Sequence, residues 1–576
     1  LSRFFLTALL SGCAGLIGGL RQADASSRAA SAAQSSVAAA QGLLEAWQLE
    51  AATRQTNALL EAGPSSRAAR GLAAAVLHQH GCHQDANRLL ADLPDAVWPD
   101  SSVRERIRGS AAYAPFFAER LTPHFSIRYL DKDRITATYA EAVLEAAYQN
   151  IGTDLQFFPA AEKTPIAVEI YPDAAGLSAA SGLRRSEIAT SGTIAICKYH
   201  RLMITSPLAL YDGYPWADTL AHELTHLIIA KKSANAAPVW LHEGIAKFLE
   251  TRWHGATASL TPYSANLLHD ALVHQSFIPY AKMHPSMALL PSQDAAALAF
   301  AEVFTTVDYV VERGGRSSLA SLLDQLRDGA NMDAALNAVL GSKLGGLQGL
   351  EAAWKKWLKT RPFTPHPEAM PRTLRLRDAA APPGASDSLL NRRAAGLTKA
   401  QQAVADASRL GELLELRGHP EAAWVQYAGA LRLAQTPQPT LLWHAARLLV
   451  GLKQPQQAQE LLRQLLAAQP EHSDANLLAG ELALAGKNKQ AARPFLEAAR
   501  LSNPYNPALH AALRTLYSDS PGQAAAVRQE AEFADLCASP RPKLDVEAAA
   551  ADPNRRPTAH LRAAPEVIHM RQLLGL

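Results

Sequence analysis

Apolar and polar residues alternate along some stretches of this chain and recur every three to four positions along others, and the switch between the two rhythms marks its elements. His124 to Leu130 (His-Phe-Ser-Ile-Arg-Tyr-Leu) alternates as a half-buried strand does. Ile135 to Phe157 carries Ala, Leu and Tyr at helical intervals, and Thr164 to Tyr171 reads as a second strand, closed by Pro172-Asp173. Ser191 to Cys197 and Arg201 to Thr205 predict two further strands. Two helices follow. The first ends near Lys231 and Lys232, where the helix dipole favours cations, and the second starts at Pro238, with Ser233 to Ala237 as the connecting turn. Phe300 to Arg313 predicts another helix, ending at Gly314-Gly315. A small mixed sheet with helices, an α+β domain over residues 120–360, is the expectation.

The rhythm then changes. Residues 361–390 are rich in Pro and Ala and read as a linker. Beyond them Pro470 and Pro504 stand thirty-four residues apart, as do Ala458 and Ala492, which is the period of tetratricopeptide helix pairs. About three repeats are expected over 404–520, an all-α solenoid whose stacked pairs leave a concave surface for a protein partner. Residues 38–100 also read as helical, with Gly81 to Ala86 echoing the spacing of Gly418 to Ala423 and Gly486 to Ala491. The tail, 539–576, predicts little periodic structure beyond a short helix near Glu566.

The chemistry concentrates in the two central helices. His222-Glu223-Leu224-Thr225-His226 puts two imidazoles four residues apart, on one face of a helix, where they can converge on one ion. Glu223 projects about 100° round the same turn, so its carboxylate sits beside the ion without ligating it. Catalytic zinc takes three protein ligands and keeps one position for water, whose proton Glu223 is placed to accept. For the third ligand, a metzincin pattern needs Gly at 229 and His at 232, where Ile229 and Lys232 stand, and no Asp occurs between Leu227 and Glu250. Glu243, in Trp240-Leu241-His242-Glu243-Gly244-Ile245-Ala246, remains.

His-Glu-x-x-His followed by Trp-Leu-x-Glu-Gly-x-Ala resembles the gluzincin superfamily, in particular zinc aminopeptidases and the peptidase MA-like domains of exported bacterial proteins. The resemblance implies a zincin-like fold, a Zn2+ cofactor, His222, His226 and Glu243 as its ligands, and Glu223 as general base. It also implies an edge strand that receives the substrate backbone, assigned to Gly192, Thr193, Ile194 and Ala195, and an oxyanion donor from a later helix. Tyr309, sixty-six residues after Glu243, fits that order, with Tyr263, Tyr280, His254, His269 and His274 as rivals. Asp218, four residues before His222, has two readings: a group orienting a ligand imidazole, or a helix cap. The gap from His226 to Glu243 is shorter than in the aminopeptidases and no Gly-Ala-Met-Glu-Asn segment is present, so an endopeptidase acting on peptide or protein substrates is expected. The alternative is a catalytically inactive zincin-fold scaffold that works through its repeats.

Composition changes little of this. Lys plus Arg number 56 against 53 for Asp plus Glu, a balance that gives no support to nucleic-acid binding or electrostatic membrane attachment. The four cysteines are scattered without Cys-x-x-Cys spacing. Over residues 1–25, Arg3 precedes an apolar run from Phe4 to Leu20, and Ala23-Asp24-Ala25 offers a cleavage site, the form of an export signal. Leu10-Ser11-Gly12-Cys13 also resembles a lipobox, in which Cys13 is lipidated and supplies the membrane anchor. Both routes predict an exported protein of the bacterial periplasm or envelope.

Overall fold

The computed structural model describes residues 36–159, 165–364, 366, 369–370, 374–377, 389, 398–436, 438–518, 522–540, 544–546 and 564–576. Residues 1–35, with Cys13, and most of the expected linker lie outside them. The chain divides into two compact units, one of residues up to Pro115 together with Val546–Leu576, the other Phe116–Asp545.

The first unit is helical: α1 (Leu49–Ala62), α2 (Arg67–Gln79), α3 (His83–Ala91), α4 (Ser101–Tyr113) and, from the far end of the chain, α23 (Pro565–Leu574), with a further helical stretch over 36–45. The tail helix expected near Glu566 is therefore a core element. Its Val567, Met570 and Leu574 are buried with Leu60, Leu72 and Leu77, and Asn57 Nδ2 donates to the Glu566 carbonyl at 2.9 Å. Arg104 is buried and spends its guanidinium on the carbonyls of Leu93, Pro94, Val97 and Pro99, so a charge inside this unit is hydrogen-bonded on all sides.

In the second unit β1 (Ala118–Leu121), β2 (Phe125–Tyr129), β3 (Ile166–Tyr171), β4 (Ala195–Lys198) and β5 (Arg201–Thr205) form one sheet in the order β1-β2-β3-β5-β4. The three central strands are parallel and the two edges antiparallel. Alternation assigns the two faces. Phe125, Ile127, Val168, Ile170, Leu202 and Ile204 enter the main core against helices α5 (Arg134–Asp154) and α8 (Trp216–Lys232). On the other face Glu169 is fully buried and takes Arg128 Nη1 at 3.1 Å, Arg201 Nη1 at 2.6 Å and the Tyr171 hydroxyl at 2.9 Å. Short helices α6 (Ala174–Ser181) and α7 (Arg185–Ser191) precede β4. After α8 come α9 (Val239–Leu249), α10 (Pro262–His274), α11 (Gln293–Gly314), α12 (Ser317–Arg327), α13 (Met332–Leu340) and α14 (Gly346–Leu358).

Four helix pairs follow among the described residues, one more than expected: α15/α16 (Lys399–Leu416, Pro420–Leu433), α17/α18 (Pro439–Gly451, Pro455–Ala468), α19/α20 (Ser473–Ala485, Lys489–Ser502) and α21/α22 (Pro507–Tyr517, Ala524–Ala538). Within a pair a small residue meets a large one sixteen positions on. A Cβ at Gly480 would lie 2.5 Å from Leu496 and one at Gly411 2.4 Å from Tyr427. The last pairs are docked on the sheet-bearing domain. Tyr505 shares its hydroxyl with Asp133 and Thr136, the Tyr139 hydroxyl donates to Glu530 at 2.9 Å, and Trp216 Nε1 donates to the Arg500 carbonyl at 3.1 Å. Gly213, at φ 63°, lies so close to the Ser502 carbonyl that a Cβ would come within 2.1 Å of it. The described part of the linker is also laid down. Leu376 bridges Leu210, and Arg375 holds Asp212 through two nitrogens at 2.7 and 2.9 Å. Among the described residues no helix is long and apolar enough to cross a membrane.

Candidate metal centre

Helix α8 carries Leu220, Ala221, Leu224, Leu227, Ile228 and Ile229 into the core, and this packing fixes its rotation. His222 and His226 then lie one turn apart on the side facing α9. On its other side α9 packs tightly on α11 because position 244 is Gly: a Cβ there would lie 2.7 Å from the Val303 carbonyl of α11. Glu243, the preceding residue, meets the two imidazoles.

The three side chains converge. His222 Nε2 and His226 Nε2 are 3.1 Å apart, and Glu243 Oε2 lies 3.5 and 3.4 Å from them. Two ligands about 2.0–2.1 Å from one ion at a tetrahedral angle are about 3.3–3.4 Å apart, so two nitrogens and one carboxylate oxygen at these separations fit zinc with a fourth position left over. Among the described residues this is the group of three or more His, Cys, Asp or Glu able to hold an ion.

The outer nitrogens are also engaged. His222 Nδ1 faces Glu250 Oε2 at 3.3 Å, and Glu250 takes Lys247 on its other oxygen. His226 Nδ1 faces His242 Nδ1 at 2.8 Å. Burial works against charge on His222, yet its contacts with Glu243 and Glu250 push its pKa up to about 10. Burial likewise opposes ionisation of Glu243, and the histidines overcome it, holding the carboxyl well below the usual range. His242 is driven down to about 3 by burial and by the neighbouring His226. Glu223 is buried, and that burial raises its pKa against the pull of His226, His222 and a hydrogen bond from the Cys197 backbone N–H. A raised pKa makes this carboxylate a stronger acceptor for a proton.

Other expectations shift. Gly192, Thr193 and Ile194 precede the edge strand, with Gly192 closing α7 at φ 70°, and of the four assigned residues only Ala195 lies within β4. Because Thr205 N donates to the Ile194 carbonyl, alternate residues Ala195 and Cys197 turn their main-chain groups away from β5, and on that side the Cys197 N–H meets Glu223. Tyr309 does not join the histidines. Val303 and Val307 face α9 at Gly244, whereas Thr305 receives Trp354 Nε1 at 3.2 Å from α14 and Tyr309 packs on Trp357 at 5.6 Å. Two residues turn a helix by about 200°, so Tyr309 is on the far side of α11 from the site, as a core residue. Of its rivals, Tyr280 stacks on Trp240 and bonds Thr306, Tyr263 bonds Asp294, and His269 packs on Phe363. His274 Nδ1 meets the Asp270 carbonyl and His254 packs on Trp253. Asp218 fulfils neither of its readings. It accepts from Trp253 Nε1 at 2.8 Å, and burial lifts its pKa to about 6, while Glu250 takes the orienting place beside His222. Glu250 stands seven residues after Glu243, two turns along the same face of the chain, a spacing that would have disclosed it.

Comparison with known proteins agrees with the larger picture. Residues 137–360 match the model of the Peptidase MA superfamily, and residues 449–516 match a tetratricopeptide repeat. No curated protein matches the chain. The crystal structure of the yeast Tom70 aligns at 13% identity over 86% of this chain and 87% of that one, with a TM-score of 0.16, too low for any inference. Residues 137–360 are thus a Peptidase MA superfamily domain, and the helical pairs behind it include tetratricopeptide repeats.

Proposed function

We propose that this protein is a zinc endopeptidase of the gluzincin type, with His222, His226 and Glu243 holding the ion and Glu223 as the base. The observation that carries this reading is the 3.1–3.5 Å triangle of donor atoms, with a buried Glu223 on the same turn of α8. When bound there, zinc supplies Lewis acidity, bringing the pKa of water toward ~7 and polarising a carbonyl. Glu223 takes the proton of the attacking water and returns it to the departing amine, and the Cys197 N–H steadies its carboxylate meanwhile. The substrate backbone adds to the outer edge of β4 at Ala195, beside the Cys197 N–H that Glu223 occupies, which favours extended segments over particular side chains. The repeats bind a protein partner or an extended peptide. The signal-like residues 1–25 direct the protein to the envelope, with Cys13 as a lipid anchor in one form of that export.

The test is cleavage of a disordered protein by the purified full chain loaded with zinc, beside Glu223→Gln and a chelated sample. The proposal requires cutting by the native protein alone, with Glu223→Gln still binding zinc. Equal zinc binding and intact folding with no cutting by either protein would favour the scaffold alternative.

A further inference from the structure

The contact between His226 and His242 carries more than packing. Their Nδ1 atoms are 2.8 Å apart, a distance that demands one proton between them, since two lone pairs or two N–H groups would repel. The opposite nitrogen of His226, Nε2, is the one that meets His222 Nε2 and Glu243 Oε2. An imidazole that ligates through Nε2 while neutral carries its proton on Nδ1. His226 is therefore the donor in the shared bond, and His242 is the acceptor, fixed with its own proton on Nε2.

We infer that His242 is a positioning residue, whose Nδ1 lone pair holds His226 in the tautomer and rotation that present Nε2 to the metal. This rests on the zinc reading above. The two ligand histidines are thus oriented by different chemistries: His222 by the carboxylate of Glu250, and His226 by a neutral ring. A carboxylate at 242 would add a further anion beside Glu243 and Glu223. A neutral acceptor orients the ring without adding charge. The arrangement is compact because His242 and Glu243 are consecutive on α9, so one turn of helix delivers both the third ligand and the acceptor that aims the second.

The experiment measures zinc affinity of the full chain by competition with a chromophoric chelator, for the native protein, His242→Asn and His242→Leu, with the melting midpoint of each zinc-free protein as the folding control. Asn keeps an acceptor oxygen near the Nδ1 position, whereas Leu fills the space and accepts nothing. The expected result is a loss of about 10–100-fold for His242→Leu, the usual effect of removing an outer partner of a ligand, and an affinity for His242→Asn nearer the native one. Native affinity in His242→Leu would overturn the inference, as would an Asn variant as weak as Leu, which assigns the ring a packing role. Failure of the native protein itself to bind zinc would instead overturn the zinc reading on which the inference stands.

Discussion

The hairpins α8/α9 and α19/α20 are both pairs of helices joined by a short turn, yet they close on opposite materials. Between α19 and α20 the contact is small against large and wholly apolar, with Gly480 on Leu496 and Ala492 buried beside them. Between α8 and α9 lie three histidines and three glutamates: His222, His226, His242, Glu223, Glu243 and Glu250. Removing such groups from water costs more than their mutual attraction readily returns, so the second hairpin is not held by its own interface. It is held from behind, by the apolar side of α8 on the sheet and by the approach of Gly244 to α11. The repeat pair shows what a self-supporting hairpin looks like, and the site pair shows one held in place so that its inner face is free for chemistry.

That contrast can be broken at several points. The largest effect is expected from Glu223→Gln, which removes the proposed base and leaves the proposed ligands: peptide cleavage falls by about 10²–10⁴-fold, while zinc affinity stays near native. Next, Glu250→Ala strips His222 of its orienting carboxylate, and zinc affinity in chelator competition drops by about 10–100-fold. A native affinity would show that Glu250 serves Lys247 alone. In the apolar hairpin, Gly480→Val drives side-chain atoms into Leu496 and is expected to cost about 1–3 kcal/mol by denaturant unfolding without altering zinc affinity. The two hairpins also differ in their response to pH. His222 holds its proton up to about pH 10 in the metal-free protein, because Glu243 and Glu250 outweigh its burial. Zinc takes only the neutral ring, so binding expels that proton and affinity rises with pH below that value, by about tenfold per unit for one proton. A flat profile between about pH 6 and about pH 9 would contradict this account.

The convergence of His222, His226 and Glu243 was legible in the sequence because these residues are placed by short spacings. Four residues place His226 over His222 on one turn, and a Pro-started second helix carries Glu243. Four of the five strands were legible too, within a few residues, since alternation survives burial of both faces when one face holds Arg128, Glu169 and Arg201, whereas the short edge strand β1 was not read. The role given to Tyr309 failed on rotation. Order along the chain brought it near the right helix, but only the partners of that helix determine which side faces the site. The docking of Tyr505 on Asp133 and Thr136, or of Ser502 on Gly213, joins residues hundreds of positions apart, and no local pattern records such pairs. Glu250 and His242 sit within reach of local spacing, a signal that becomes informative once each Nδ1 is asked for a partner.

Helix α23 has a consequence for the order in which this chain can fold. Its Val567, Met570 and Leu574 complete the core begun by α1, α2 and α3, so that core draws on both ends of the described chain while the entire peptidase and repeat region is threaded between them. In synthesis or export alike, the helices of residues 49–113 precede α23, and their apolar faces stay uncovered until that last helix follows. Residues 116–545 have all their own partners before this core has its last one, so exposure to misassembly lasts longest for the helices that precede them.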